Sequence, residues 1–224
     1  MTKVSMQKVR EDFDLIAPFE TEKWNRNNHY HEFLLKQLPP DSQNILEIGC
    51  GIGTFSRNLA QRCKSVTALD LSPKMLETAK NLSKSQTNIN FQLADILETQ
   101  FPDESFETIV SIATFHHLPL EKVLPKLKKA LKIGGKLIIL DVLQVKSLVD
   151  FAWGSVALPV GLLVRFFHHG LSRPTKAERE AWEQHARTDR YLSFSEVQSL
   201  YPNFLTNPII NRHFFFRYSV IWQK

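Results

Sequence analysis

Between residues 44 and 142 the chain alternates short apolar runs with stretches of helical period, and no other feature restricts its fold as much. Runs at 44–48, 66–70, 89–95, 107–114 and 136–142 read as strands. The stretch 54–62 reads as a helix with Phe55 and Leu59 on one side. The next helix opens at Ser72-Pro73, a hydroxyl cap followed by proline at the first helical position, and Met75, Leu76, Ala79 and Leu82 form its apolar stripe. A third helix spans 119–132, where Pro125 is expected to kink or restart it because proline lacks the N–H a turn needs. After Ile133-Gly134-Gly135 the last of these strands begins. Strands alternating with helices imply an α/β, doubly wound sheet, mostly parallel and covered on both faces.

After residue 144 the pattern changes. Residues 145–205 read as helices joined by loops, and Thr175 with Glu178, like Ser193 with Glu196, has the spacing of a capping box. The tail 207–224 returns to strand-forming residues and reads as a closing hairpin, although 213–216 holds no glycine or asparagine to make the turn. At 224 residues there is room for one sizeable domain. The expected organisation is an N-terminal helical cap (1–40), a core (41–144 and 206–224) and a helical insertion (145–205).

Within the insertion, residues 151–164 carry no charge. As a helix this stretch is about 21 Å long, short of the roughly 30 Å hydrocarbon core of a bilayer. Gly154, Pro159 and Gly161 also interrupt it, so it is expected to serve as a lid or a dimer surface. The alternative is contact with a membrane surface through 151–169, with Arg165, His168, His169 and Arg173 toward the headgroups.

The segment Glu47-Ile48-Gly49-Cys50-Gly51-Ile52-Gly53-Thr54 carries the chemistry. Glycines between a strand and a helix let the backbone come close to a ligand where side chains would block it. Asp70 closes the second strand and Asp95 the third, at the same rim. One suits a pair of ribose hydroxyls and the other an exocyclic amine. A nicotinamide site would carry Gly-x-Gly-x-x-Gly, whereas here the third glycine comes one residue early and Thr54 takes the sixth position.

Loop, two acids and the later Gly134-Gly135 turn, in this order, resemble the class I S-adenosylmethionine-dependent methyltransferases of small-molecule type. The resemblance covers about residues 30–142 and, in outline, the C-terminal hairpin. It implies a seven-stranded Rossmann-like sheet with an antiparallel last strand, and S-adenosyl-L-methionine as cofactor. By the same resemblance Glu47 lies near the methionine amino group. The cofactor-binding set it implies is Glu47, Gly49, Cys50, Gly51, Gly53, Asp70, Leu71, Met75, Ala94, Asp95, Ile96, Ser111 and Ala113.

The acceptor is expected above the ends of the fourth and fifth strands. The fourth strand leads into Phe115-His116-His117, and His116 and His117 are the candidate bases. A base is optional, because methyl transfer from a sulfonium chiefly needs proximity, alignment and dryness. Tyr30, His31, Asp141, Arg187, Tyr191, His213 and Arg217 are the expected acceptor-lining residues. Aromatic and basic residues there suit a small apolar or aromatic acceptor, methylated on oxygen or nitrogen. The alternatives are a protein, RNA or membrane-associated quinone acceptor, or a cofactor-binding module without catalysis. No metal is expected, since adjacent histidines should diverge and no third ligand stands out.

Composition excludes little. The net charge of +5 suggests nucleic acid, but the densest basic run, Lys126, Lys128, Lys129, Lys132 and Lys136, reads as a solvated helix face. Ser111-Ile112-Ala113-Thr114 also lacks the Asn/Asp-Pro-Pro-aromatic motif with which enzymes of this resemblance hold a flipped base. Two cysteines, Cys50 and Cys63, are too few for a disulfide framework. The first residues lack an apolar signal region, so a cytoplasmic monomer or homodimer acting on a small molecule is the expectation.

Overall fold

Five apolar runs, most of them separated by helices, assemble as their periodicity requires. The computed structural model of the chain describes residues 5–146, 167, 174–187 and 189–224. The strands are β1 (Asn44–Ile48), β2 (Ser65–Asp70), β3 (Ile89–Leu93), β4 (Phe106–Ile112), β5 (Leu131–Val142), β6 (Ile209–His213) and β7 (Arg217–Gln223). They form one sheet in the order β3-β2-β1-β4-β5-β7-β6. β1 to β5 pair in parallel, and β7 runs antiparallel to both β5 and β6. The strand order reverses between β1 and β4, and in such sheets the crevice at the carboxyl ends of those strands binds ligand.

Burial alternates along the central strands, one residue to each face. Leu46, Ile109, Leu137, Ile139, Val220 and Trp222 pack in one cluster. Ile45, Val110, Ile138, Leu140 and Ile221 pack in the other. Helix α3 (Thr54–Ala60) and helix α4 (Pro73–Leu82) cover the second cluster through Leu59 and Leu76. Helix α5 (Leu120–Ala130) covers the first through Val123, Leu124 and Leu127. Ser72 caps α4 as its sequence suggests, accepting from the Met75 N–H. Leu82, expected on the buried stripe, is the last residue of α4 and is 42% exposed.

Two local expectations are corrected. Pro125 does not restart α5 as a second helix: one helix runs from Leu120 to Ala130 through it. Pro125 lies on the exposed side of α5, while Val123, Leu124 and Leu127 carry its packing on the sheet. β5 begins at Leu131, five residues before the expected start, and its register against β4 shifts between Phe106 and Thr108, so the glycine turn is a bulge within the strand. The lysine run is less solvated than expected. Lys126 donates to the Ile96 and Leu97 carbonyls, Lys128 to Phe204 and Lys136 to Gln37.

Around the sheet lie helix α1 (Met6–Ile16), helix α2 (His31–Leu35), helix α6 (Lys176–Ala186) and helix α7 (Phe194–Leu200). Ser193 and Glu196 make a reciprocal capping box at α7, while at α6 Thr175 accepts from the Glu178 N–H. The β6–β7 hairpin turns through Phe215 and Phe216, both at positive φ (58° and 56°), which explains why no glycine marked it. Among the described residues no helix is long and apolar enough to cross a membrane. The apolar stretch 151–164, with Arg165, His168, His169 and Arg173, lies outside the described residues.

Candidate functional site

The rim is built from backbone. Gly49 leaves β1 at φ +73°, and its N–H and that of Cys50 both donate to the Leu69 carbonyl, at 2.8 and 2.9 Å. A Cβ at Gly49 would sit 2.0 Å from Thr114 Oγ1, so the loops after β1 and β4 touch here, where the strand order reverses. A Cβ at Gly51 (φ +53°) would meet nothing within 4 Å, so this turn borders open space. Gly53 (φ +75°) is the N-cap of α3. The three glycines thus hold a left-handed path that other residues adopt only under strain.

Asp70 ends β2 and organises the rim. Its Oδ2 accepts from the Gly51 N–H at 2.7 Å and its Oδ1 from the Ser72 N–H at 2.9 Å. Burial raises its pKa against the pull of those bonds. Each oxygen keeps a second lone pair, so the carboxylate can hold the loop and still accept from a ligand. The Ala94 N–H binds the Asp70 carbonyl at 3.0 Å, which sets the end of β3 beside it. Asp95 Oδ1 accepts from the Leu97 N–H at 2.8 Å; Ile96, its neighbour in sequence, and Met75 of α4 are both buried.

Glu47 lies on β1 beneath this rim. It is 2% exposed and accepts a hydrogen bond from Ser56 Oγ. Burial pushes its pKa up to about 8, with Ser56 pulling the other way. Ser111, also buried, donates to the Ile48 carbonyl at 2.8 Å and locks β4 to β1. Ala113 follows β4 at φ +51°, a strained value for a residue with a Cβ, held by its N–H on the Leu140 carbonyl at 2.8 Å.

That turn delivers His116 and His117. His116 Nδ1 lies 2.6 Å from Asp141 Oδ1, and its backbone N–H donates to Asp141 Oδ2 at 2.8 Å. Asp141 is fully buried near the end of β5, so this carboxylate fixes both the ring and the turn. Burial opposes charge on His116, but Asp141 and then Asp189 outweigh it and raise its pKa. Burial, reinforced by His116 and His185, lowers the pKa of His117 to about 2. The two rings do not diverge: their centroids are 3.9 Å apart, which corrects that expectation.

A third and a fourth group join them, contrary to the sequence reading. His185 of α6 and Asp189 just after it bring ligand atoms such that all four groups lie within 4.8 Å of one another. Tyr191 donates to Asp189 Oδ2, and its ring lies 4.9 Å from that of His116. Phe13 of α1 stands edge-on to both His117 and His185. α1 and α6 are tied by Asp12, whose Oδ1 accepts from Gln184 Nε2 at 2.7 Å. Sequence reasoning missed Asp189, Asp12 and Phe13. The i, i+4 spacing of His185 and Asp189 was the available signal.

The other expected acceptor residues divide. Asp141 and Tyr191 join the histidines. Tyr30 donates to the Phe214 carbonyl at 2.7 Å, and His31 Nδ1 pairs with Asn58 at 3.1 Å. Burial brings the pKa of His31 down to about 4. His213 bonds Ser219 at 2.8 Å, and Arg217 donates to Asn27 and to the Phe215 and Phe216 carbonyls. Tyr30, His213 and Arg217 hold the hairpin against the N-terminal segment, and His31 ties that segment to α3. Arg187 is exposed at the end of α6.

Residues 46–139 match the family described as a methyltransferase domain. The chain is 35% identical over 95 residues to an uncharacterised methyltransferase of Mycobacterium tuberculosis, covering 42% of this chain and 48% of the other. It is 35% identical over 109 residues to the 2-methyl-6-phytyl-1,4-hydroquinone methyltransferase of Synechocystis sp., covering 48% of this chain and 34% of the other. The chain therefore spans less than half the length of these curated relatives. In fold it is similar to the N-methyltransferase NodS of Bradyrhizobium japonicum bound to S-adenosyl-L-homocysteine, with a TM-score of 0.61 and 18% identity over 97% of this chain and 98% of that one.

Proposed function

We propose that this chain, whose residues 46–139 match a methyltransferase domain, is a class I S-adenosylmethionine-dependent methyltransferase that methylates a small apolar or aromatic acceptor. The observation that carries this is the rim: a glycine turn with open space at Gly51, its N–H fixed by Asp70, and Asp95 at the next strand end. The cofactor, when bound, supplies a methyl group on a sulfonium with a good leaving group.

The chain's own residues then bind, orient and exclude water. Asp70 accepts from ribose hydroxyls with the lone pairs its loop bonds leave over. Asp95 takes the adenine amine, with Leu71, Ala94, Met75 and Ile96 as apolar surroundings. Gly49, Cys50, Gly51 and Gly53 let the backbone close on the ligand, Glu47 meets the amino group from below, and Ser111 and Ala113 shape the floor. The acceptor enters at the β4–β5 end, where Phe13 and Tyr191 form an aromatic cover. Apolar walls with few polar groups suit a ring bearing one polar handle. The Synechocystis relative, whose name gives a hydroquinone, supports that acceptor class.

His116 and His117 serve this reaction by position. Their side chains are 5% exposed, and His116 faces a carboxylate through each ring nitrogen. A general base must reach the proton it takes, so alignment rather than base catalysis carries the transfer.

The test is calorimetric binding of S-adenosylmethionine, followed by methyl transfer from labelled cofactor to a panel of hydroquinones and phenols. Asp70→Ala should weaken cofactor binding by about 2 to 3 kcal/mol through lost charge-assisted hydrogen bonds. Unchanged affinity in the variant, or no binding by the native protein, removes the proposal.

A further inference from the structure

The histidine pair, His185 and Asp189 are more than the methyl-transfer reading needs. They come from two places far apart in sequence, the turn after β4 and the end of α6, yet their donor atoms converge. Asp189 is the hub. Its carboxylate oxygens lie 3.3 Å from His185 Nε2, 3.5 Å from His117 Nδ1 and 3.9 Å from His116 Nε2.

Those lengths decide between two explanations. N–H···O bonds to a carboxylate run at about 2.7–2.9 Å, so three contacts of 3.3 to 3.9 Å are too long to be good ones. A four-coordinate cation with metal–ligand bonds of about 2.1 Å puts its ligands about 3.4 Å apart along each tetrahedral edge. The Asp189 contacts scatter around that edge length.

The surroundings complete the pattern. Asp141 holds His116 Nδ1 at 2.6 Å, which leaves Nε2 to face the cluster, the arrangement in which a carboxylate orients a metal-binding imidazole. Tyr191 donates to Asp189 and orients that carboxylate in the same way. His117 turns Nδ1 toward Asp189, and its Nε2 is buried with no hydrogen-bond partner among the described residues, so the protein's own hydrogen bonds do not account for this ring. All four side chains are 2 to 6% exposed.

We propose that His116, His117, His185 and Asp189 form a four-ligand site for a divalent cation of zinc type. Three imidazole nitrogens and one carboxylate oxygen suit zinc or cobalt better than magnesium or calcium, which favour all-oxygen shells. Four protein donors close the coordination sphere, so the ion is structural and has no open position for chemistry. It clasps α6 onto the turn after β4, and through Asp12 it steadies α1 as well. The ion and Asp189 together carry one net positive charge, which Asp141 just outside offsets, while Asp12 is already paired with Lys8. This site stands whether or not the methyl-transfer proposal holds.

The experiment uses the whole protein, stripped with a chelator and titrated with Zn²⁺ and Co²⁺. The expected result is one equivalent bound, with the intense visible bands of tetrahedral cobalt(II) and a rise in melting temperature. His185→Ala and Asp189→Asn should each weaken binding by about a hundredfold or more, and Asp141→Asn by about ten- to a hundredfold. His213→Gln should bind as the native protein does. Circular dichroism and cofactor binding check that each variant is folded, and the cobalt spectrum of the native protein tests the site without any variant. No stoichiometric uptake by the folded native protein, a weak octahedral cobalt spectrum, or uptake indifferent to His185 and Asp189 would each overturn the proposal.

Discussion

The glycine rim at the ends of β1 to β3 and the histidine cluster beyond β4 and β5 sit at one edge of the same sheet but are built in opposite ways. The rim is backbone: Gly49, Gly51 and Gly53 at positive φ, N–H groups on the Leu69 carbonyl, and one carboxylate, Asp70, within about twenty residues of chain. The cluster is side chain, gathered from α1, the turn after β4, the end of β5 and α6. A backbone site tolerates almost any side chain except a Cβ in the wrong place. A side-chain site tolerates backbone variation but loses a buried partner with every substitution.

That contrast can be broken most sharply at Gly49. Gly49→Ala places a methyl 2.0 Å from Thr114 Oγ1 at a φ of +73°, and it should cost about 3 kcal/mol or more of stability. Gly51→Ala, with nothing within 4 Å, should cost only about 1 kcal/mol of stability yet abolish cofactor binding. Urea unfolding and calorimetry on both variants check this. If Gly51→Ala binds normally, the open space there is not where the ligand lies.

At the cluster, Asp141→Asn should cost about 2 to 3 kcal/mol, because an amide cannot accept from both the His116 N–H and its Nδ1–H. Cofactor affinity should change by less than about 0.5 kcal/mol, as expected for independent sites. A large loss of affinity would show that the turn at Ala113 to His117 couples the two regions.

The smallest expected effect separates charge from shape. Glu47, raised to about 8 by burial, is protonated at neutral pH in the free protein. A cationic amine favours its ionised form, so binding should release a proton. Affinity should rise about tenfold per pH unit between about pH 6 and 7.5 and level off near 8. Calorimetry in buffers of different ionisation heat measures the released proton. A flat profile would place Glu47 out of reach of the amine.

What the sequence could tell divides along the same line. The rim was legible because its determinants are local: a strand period, glycines where φ must be positive, an acid at each strand end. So were the Ser72 and Ser193 caps, where a hydroxyl answers N–H groups three residues on. The β6–β7 turn was not, because Phe215 and Phe216 take positive φ values that only the packed hairpin enforces. Nor was the bulge that lets β5 start at Leu131, which depends on pairing with β4.

By itself the sequence determined the doubly wound sheet and the place of the glycine turn, since both follow from periodicity and from backbone freedom carried by single residues. Tertiary structure decided which histidines meet. His116 and His117 read as two separate candidates until Asp141 fixed one ring and α6 brought His185 and Asp189 against both. The physical reason is separation along the chain: about seventy residues lie between the turn after β4 and Asp189, and the packing of α6 on α1, with the bridge between Leu143 and Leu192, brings those side chains together.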